Sequence, residues 1–188
     1  MQPKWIVGIL FLLFIFVRLR WPRGTDEREN TRKTREWITS SLFTFCFLFS
    51  YVSYFASESL QRFSVPLPNV VLILGGVMSV IGLGVLEWVH RALGVHFSPH
   101  LELRSDHKIV ASGPYHYVRH PMYSCGLLFL IGTGLLSSNI LVLCVPTSSF
   151  VVLLILRIKD EEKMMASRFG QEWMEYSKKT GFLLPRLW

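Results

Sequence analysis

The stretch PMYSCGLLFLIGTGLLSSNILVLCVPTSSFVVLLIL, residues 121 to 156, decides the fold because its thirty-six residues include no charged side chain. A helix needs about 20 apolar residues to cross a hydrocarbon core, so this run is too long for a single crossing. Ser137, Ser138 and Asn139 interrupt it with a turn signal. The run therefore predicts a tight hairpin of two spans, at about 121–136 and 140–157.

Three further apolar segments precede this hairpin. Residues 4–20 form a short span whose flanking arginines would snorkel to the headgroups. Residues 37–56 carry no charge over twenty positions, and residues 67–88 begin between Pro66 and Pro68. Together the segments predict an all-α integral membrane protein, a single domain over residues 1–188 with five transmembrane helices.

Charged residues distinguish the two sides of this predicted bundle. Lys and Arg number seven between residues 18 and 35, four between 91 and 119 and seven from 157 onward, and only Lys4 and Arg62 lie on the opposite side. The positive-inside rule makes the basic side cytoplasmic. Residues 159–178 alternate charges with large apolar side chains, which predicts an amphipathic C-terminal helix at that surface.

Composition excludes several classes of protein. The net charge of +7 accompanies 51% apolar residues, and the basic residues flank apolar runs, so we expect lipid headgroups rather than nucleic acid as their partners. Cys46, Cys125 and Cys144 lie inside apolar stretches without metal-ligand spacing. They predict neither a disulfide framework nor a zinc site.

The polar loop over residues 91–120 carries the most chemistry. It ends in Gly-Pro-Tyr-His-Tyr-Val-Arg-His-Pro-Met-Tyr, residues 113 to 123, and all six histidines fall between His90 and His120. Pro121 is predicted to begin a helix, because proline is favoured at the first helical position. The aromatic and basic side chains fit either an anchor at the membrane surface or a polar site.

A second polar group marks the end of the last predicted span. Arg157 and Glu161 are four residues apart and share one side of a helix. They form either a surface ion pair or a divided pocket, in which the arginine holds an anion and the carboxylate holds a cation or hydroxyl groups.

Several motifs together resemble the isoprenylcysteine carboxyl methyltransferase family, above all its short five-span prokaryotic members. The resemblance covers about the C-terminal half and is carried by His107-Lys108-Ile109-Val110, Gly113-Pro114-Tyr115, Arg119-His120-Pro121-Met122-Tyr123, Arg157 with Glu161-Glu162, and Phe169-Gly170 with Tyr176. Eukaryotic members have additional spans that this chain lacks.

The resemblance implies roles for individual residues. Arg157 would contact and orient the substrate carboxylate, and Arg119 joins it among the candidate catalytic residues. The residues implied to bind S-adenosylmethionine are His107, Lys108, Ile109, Val110, Tyr115, His120, Pro121, Met122, Tyr123 and Glu161, with Glu102 as the match for a further polar contact. The implied partners are membrane lipids and a prenylated peptide or a small isoprenoid thioether carboxylate.

The residue types suit this chemistry without reference to the family. A carboxylate acceptor is already ionised at pH 7, so methyl transfer requires alignment rather than a general base. A guanidinium can orient a carboxylate through two parallel bonds. The sequence has no G-x-G-x-x-G placed between a strand and a helix, so a Rossmann site is not expected. We predict an active site that faces the cytoplasm, in the cell membrane of a prokaryote or the endoplasmic reticulum of a eukaryote.

Three alternatives remain open from the sequence. A phospholipid N-methyltransferase would use Gly82-Leu83-Gly84 and the Glu161-Glu162 pair. A membrane di-iron oxygenase would use the pairs His96 with His100 and His116 with His120, although Pro99 and Pro114 oppose the helices that these pairs require. A non-catalytic membrane adaptor would need no site. We expect no metal requirement, because the histidines do not complete a ligand set.

Overall fold

The computed structural model describes residues 4–21, 30–94 and 109–186, with the side chains of residues 30–37 and 60 excepted. Six α-helices make up most of this part of the chain: α1 (Lys4–Arg20), α2 (Asn30–Ala56), α3 (Asn69–Leu93), α4 (Pro121–Ser137), α5 (Ile140–Phe169) and α6 (Gln171–Lys179). Short 3₁₀ helices cover Glu58–Phe63 and Gly113–His116.

Three helices are long and apolar enough to cross a membrane, namely Ile38–Ala56 within α2, then α3 and α5. The shorter α4 is apolar throughout and, at about 1.5 Å per residue, its 17 residues extend roughly 26 Å. These helices indicate an integral membrane protein. A crossing by the 17-residue α1, and with it the count of five spans, stays a prediction.

The helices α3 and α4 pack closely because both present glycine at their contact. A Cβ atom on Gly75 would lie 2.7 Å from the Gly132 carbonyl oxygen, and one on Gly132 would lie 2.7 Å from that of Gly75. A Cβ on Gly82 would lie 2.9 Å from the backbone nitrogen of Phe129. Any larger side chain would force these backbones apart.

Aromatic rings join α1 to α2 and to α4. Phe14 stacks on Phe129 with ring centroids 4.6 Å apart, and Phe11 stacks on Tyr51 at 4.8 Å. The buried Tyr51 hydroxyl hydrogen bonds with the Thr133 hydroxyl of α4. This cluster holds α1 and α2 against α4.

The hairpin between α4 and α5 forms where the sequence predicts it. Ser138 adopts φ +52°, and the side chain of Asn139 accepts hydrogen bonds from the backbone N–H groups of Leu141 and Val142. An asparagine that caps a helix in this way satisfies donors that have no partner within the helix. The local sequence thus specifies the turn.

The predicted separate helix over 159–178 differs from the structure. Helix α5 continues without a break from the apolar run through Arg157 to Phe169, and the chain turns only at Gly170, which has φ +51°. Residues 158–169 contain no glycine or proline, so the change to polar composition ends the apolar stretch without ending the helix. Helix α2 likewise begins at Asn30, before the charge-free run over residues 37–56, because a change in polarity does not set a helix end.

Candidate active site

The chain directions bring five polar segments to one end of the bundle. The helices α1 and α3 end there, α4 begins there, α5 passes through it with Arg157 and Glu161, and α6 follows. The loop before α4 packs on α3, where Gly113 has φ +61° and a Cβ on it would lie 3.2 Å from the Trp88 indole nitrogen. Glycine supports both the positive φ and this close approach.

His120 lies between two carboxylates of α5. Its Nε2 is 2.6 Å from Oε1 of Glu162, and its Nδ1 is 3.6 Å from Oε2 of Glu161. The imidazole is 8% exposed. Burial lowers the pKa of His120, but the hydrogen bonds and charges of Glu161 and Glu162 outweigh burial and leave the pKa above its ordinary value. The arrangement favours an imidazolium that joins the two glutamates.

Glu161 also receives contacts from two other elements of the site. The Tyr123 hydroxyl donates to its Oε1 at 2.5 Å, and Nη2 of Arg157 is 3.5 Å from the same oxygen. The Arg157 side chain is 14% exposed and sits one helical turn before Glu161. A guanidinium and a carboxylate are therefore adjacent on one face of α5, and α4 supplies the tyrosine beside them.

Arg119 points toward the C-terminal part of the chain. Its Nε is 3.2 Å from Oε1 of Glu162, and its Nη1 donates to the carbonyl oxygens of Ser177 and Thr180 at 2.7 and 3.0 Å. The last carbonyls of a helix have no partner within it, so a guanidinium at this end stabilises α6. These contacts favour a role for Arg119 in holding the site together rather than in touching a substrate.

Tyr115 and Tyr176 connect the loop to α6. The Tyr176 hydroxyl donates to the Tyr115 backbone carbonyl at 2.7 Å. Burial raises the pKa of Tyr176 to about 12, and burial together with nearby Cys125, Tyr176 and Glu161 raises that of Tyr115. Both phenols therefore stay protonated at neutral pH and serve as hydrogen-bonding groups rather than bases.

The pattern of the isoprenylcysteine carboxyl methyltransferase (ICMT) family matches residues 71–167, just over half of the chain. The chain belongs to this family. The hydrogen bonds and ion pairs described for Glu161 and Glu162 come from Arg119, His120, Tyr123 and Arg157, all inside the matched range. The helices α1 and α6 and the segment after α6 lie outside it.

Of two relatives of this ICMT-family chain, one is named as a metal-resistance protein and the other as a methyltransferase. Identity is 36% over 84 residues with the cobalt-zinc-cadmium resistance protein CzcN of Cupriavidus metallidurans, covering 45% of this chain and 38% of CzcN. It is 30% over 151 residues with the protein-S-isoprenylcysteine O-methyltransferase of Saccharomyces cerevisiae, covering 76% and 61%. The matched part is thus less than two thirds of either relative.

A solved structure shares the fold of this ICMT-family chain. It is that of the eukaryotic intramembrane Ras methyltransferase ICMT, with a TM-score of 0.54 and 24% identity over 85% of this chain and 54% of that one. The likeness supports an intramembrane fold of the same kind.

The remaining predicted cofactor residues are only partly described. Ile109 and Val110 are half-buried in irregular structure, Pro121 is buried at the start of α4, and Met122 has its sulfur 3.9 Å from Nη1 of Arg18. Glu102, His107 and Lys108 lie outside the described residues, as do His96 and His100 of the oxygenase alternative. The roles of all these residues stay predictions.

Sequence reasoning left three contributors to the ICMT-family site without a role. Glu162 contacts both Arg119 and His120, Arg18 reaches Met122 from α1, and Phe182 packs against His120. The motif resemblance includes Glu162 beside Glu161 but assigns it no role of its own. Arg18 and Phe182 approach from distant parts of the chain, and no local pattern indicates either contact.

The histidine pair at 116 and 120 does not share a helix. His116 ends the 3₁₀ helix Gly113–His116 and is exposed, whereas His120 precedes α4 and faces the glutamates. Within the described residues, no group of three or more His, Cys, Asp and Glu side chains is placed to hold a metal ion.

Proposed function

We propose that this protein is an S-adenosylmethionine-dependent methyltransferase that esterifies the carboxylate of an isoprenylcysteine or a similar lipid thioether. The observation that carries the proposal is the pairing of Arg157 with Glu161 at the end of a long apolar run of α5, with Tyr123 and His120 on the same carboxylate. Arg157 could bind an anionic acceptor, and the adjacent Glu161 carboxylate could bind a cationic cofactor.

The residues of the site fit the cofactor's chemistry. An ionised carboxylate has about four acceptor positions. On Glu161, Tyr123 and Arg157 both approach Oε1, and the described contact on Oε2 is the 3.6 Å approach of His120. Oε2 therefore retains capacity for an ammonium or a hydroxyl group. Glu161, His120, Tyr115 and Tyr123 would hold the cofactor, together with the predicted residues of the loop.

The cofactor supplies an activated methyl group when it is bound. The work of the chain is then alignment, because an acceptor carboxylate is ionised at neutral pH and needs no general base. Arg157 would hold the two acceptor oxygens, and its neighbour Glu161 would fix the cofactor one helical turn away. Correct alignment can lower a barrier by on the order of 7 to 11 kcal/mol.

The position of Arg157 suits a lipid acceptor. Seventeen residues without a charge, 140 to 156, precede it in α5, so it marks the level at which the helix leaves the apolar run. A prenyl chain lying in the bilayer would place the carboxylate of the cysteine that carries it near this level. We propose that this level is the cytoplasmic membrane surface, as the distribution of Lys and Arg predicts.

One structural observation weakens the phospholipid N-methyltransferase alternative. Gly82 is required by close packing against Phe129, and Gly84 is exposed with open space where its Cβ would lie. Helix packing therefore explains Gly82 without a cofactor contact. An amine acceptor would also have to lose a proton, which the carboxylate acceptor does not.

The test is a methyl-transfer assay on purified protein with labelled S-adenosylmethionine and three conditions: a farnesylcysteine analogue, phosphatidylethanolamine and no lipid. We expect label in the farnesylcysteine product, released by base because the product is an ester. Base-stable label in phosphatidylethanolamine would instead establish the amine reaction. No transfer to either acceptor, by protein that binds the cofactor, would overturn the proposed substrate.

A further inference from the structure

The segment after α6 runs beside the loop that precedes α4. We call residues 180–183 the C-terminal strap. Gly181 accepts a hydrogen bond from the Arg119 backbone N–H at 2.8 Å and donates to the Tyr117 carbonyl at 3.0 Å. The Phe182 carbonyl accepts from the His120 backbone N–H at 3.2 Å. The strap thus forms backbone hydrogen bonds with Tyr117, Arg119 and His120.

Arg119 fastens the strap to α5. Its guanidinium bonds to the carbonyl oxygens of Ser177 and Thr180, and it also forms the 3.2 Å ion pair with Glu162. The Arg119 side chain is 15% exposed, so solvent only partly screens this pair. One side chain therefore links α5, the end of α6 and the strap.

The strap and Glu162 hold His120 from different directions. The Phe182 ring meets the His120 ring edge to face at 5.2 Å and lies 5.4 Å from the Arg119 guanidinium carbon. Oε1 of Glu162 lies 2.6 Å from Nε2 of His120, so the other ring nitrogen, Nδ1, is directed toward Glu161. The orientation of the imidazole at Glu161 is therefore set by groups on its far side.

We propose that Glu162 and the C-terminal strap form a positioning clamp, which acts on the cofactor-binding side of the site by fixing His120 against Glu161. The inference rests on the proposed function for the identity of the cofactor. Glu162, Arg119 and Phe182 are positioning residues here, since each acts through His120. The strap lies outside residues 71–167, so the family match does not assign it.

Several charged or titratable groups face His120 and its partners in the described part of the chain. Glu161, Glu162 and Arg157 come from α5, Arg119 from the loop and Tyr123 from α4. Tyr176 of α6 faces Arg119 and Glu162. Because the glutamates contact the imidazole directly, removing the charge of Glu162 should make His120 easier to deprotonate.

The experiment compares Glu162→Gln and Phe182→Ala with the full-length wild type. Glu175→Gln is the matched control, because Glu175 is exposed on α6 and hydrogen bonds only to Gln171 among the contacts described. Histidine titration by NMR, with the His120 signal assigned by its loss in His120→Gln, reports the clamp directly. Calorimetry measures S-adenosylmethionine binding, and steady-state kinetics measure KM for the acceptor.

We expect Glu162→Gln to move the His120 titration midpoint to lower pH. Because His120 would then be held less firmly against Glu161, cofactor binding should weaken about tenfold. Acceptor KM should stay at the wild-type value. Phe182→Ala should also weaken cofactor binding, and Phe182→Leu, which restores an apolar cover, should recover most of it. Glu175→Gln should change none of these quantities.

An unchanged His120 midpoint and unchanged cofactor affinity in Glu162→Gln would overturn the clamp. This variant removes no packing, so it decides the matter alone if Phe182→Ala fails to fold. The titration needs neither cofactor nor acceptor. A failure of the proposed methyl transfer is therefore distinguishable from a failure of the clamp. If the wild type forms the ester but the His120 midpoint does not shift in Glu162→Gln, the clamp fails and the proposed function stands.

Discussion

Arg157 is a residue at which charge and geometry can be separated. Lysine keeps the positive charge but lacks the planar fork that holds both oxygens of a carboxylate. We expect Arg157→Lys to bind S-adenosylmethionine as the wild type does and to lose most of its turnover, because a misplaced acceptor forfeits the alignment. Calorimetry and methyl-ester formation measure the two properties separately.

Two results would contradict this role for Arg157. Wild-type turnover in Arg157→Lys would show that the side chain merely reaches the headgroups, where lysine serves equally well. Loss of cofactor binding would move Arg157 to the cofactor side of the site. Lys159→Arg, two residues further along α5, is a control for general effects of exchanging the two basic side chains.

Glu161 is predicted to bind the cofactor directly. Glu161→Gln keeps the size of the side chain and removes its charge, so the ammonium or hydroxyl groups of the cofactor would lose a charge-assisted bond. Such a loss costs about 1.5 to 3 kcal/mol, or roughly ten- to more than a hundredfold in affinity. Calorimetric titration with S-adenosylmethionine measures it, and wild-type affinity in the variant would exclude Glu161 from the cofactor contact.

The raised pKa of His120 predicts a pH dependence of stability. Burial lowers this pKa, but Glu161 and Glu162 raise it by more than burial lowers it. The folded protein therefore holds the proton more tightly than the unfolded chain does. The stabilisation is therefore fully present below the unfolded value of about 6.5 and is lost as pH rises through the folded pKa.

The difference in free energy of unfolding between wild type and His120→Gln, measured in detergent from about pH 5 to 9, tests this linkage. We expect the difference to be largest at the acidic end and to shrink as His120 deprotonates. A difference that stays constant over the range would show that His120 does not change its proton affinity on folding.

Among the helix contacts, that of α3 with α4 tolerates the least change of side chain, because glycines lie at it. Gly75→Ala would bring a methyl group within 3 Å of the Gly132 carbonyl oxygen and the backbone nitrogen of Leu136. We expect a loss of about 1 to 3 kcal/mol, the usual cost of overpacking. Gly84→Ala is the matched control on the same helix, because its Cβ would meet nothing within 4 Å. Thermal unfolding of both variants in detergent tests the contact, and equal stabilities would refute it.

The sequence predicts an element well where its cause is local. Pro121 fixes the start of α4, and Ser138 and Asn139 form the turn to α5, because each acts within a few residues. The extension of α5 to Phe169 was missed, since a change from apolar to charged residues marks the end of the lipid-facing stretch and carries no signal for a helix end. Only Gly170 provides that signal.

The site shows the same limit. Arg157 and Glu161 could be placed together from their spacing along one helix. The contacts of His120 with Glu162 and Phe182 span 42 and 62 residues, and they depend on how α4, α5 and the strap pack in three dimensions. Motif resemblance placed Arg119 among the candidate catalytic residues, but it did not indicate that this side chain bonds to Glu162 and to the end of α6.

At the scale of the whole molecule, the orientation in the membrane depends on α1. Its 17 residues extend about 26 Å at about 1.5 Å per residue, close to the thickness of a hydrocarbon core of about 30 Å. Val7 and Leu10 are buried against the bundle, and Phe14 stacks on Phe129, so α1 lies along the other helices rather than across their ends. Lys4 begins the helix and Arg18 and Arg20 end it. We therefore predict that α1 crosses the membrane and leaves Lys4 on the side opposite α6.

Single cysteines at these two ends test the crossing. In a background with Cys46, Cys125 and Cys144 replaced by alanine, Lys4→Cys should react with a membrane-impermeant maleimide in right-side-out vesicles, whereas Lys178→Cys should react only after permeabilisation. Both substitutions exchange a lysine for a cysteine, so each is the control for the other's reactivity once the vesicles are opened. If the two cysteines react under the same conditions, the chain crosses the membrane an even number of times between residues 4 and 178. The N-terminus and the Arg157–Glu161 site would then lie on the same side of the membrane, and the five-span topology would be wrong even though the site itself is intact.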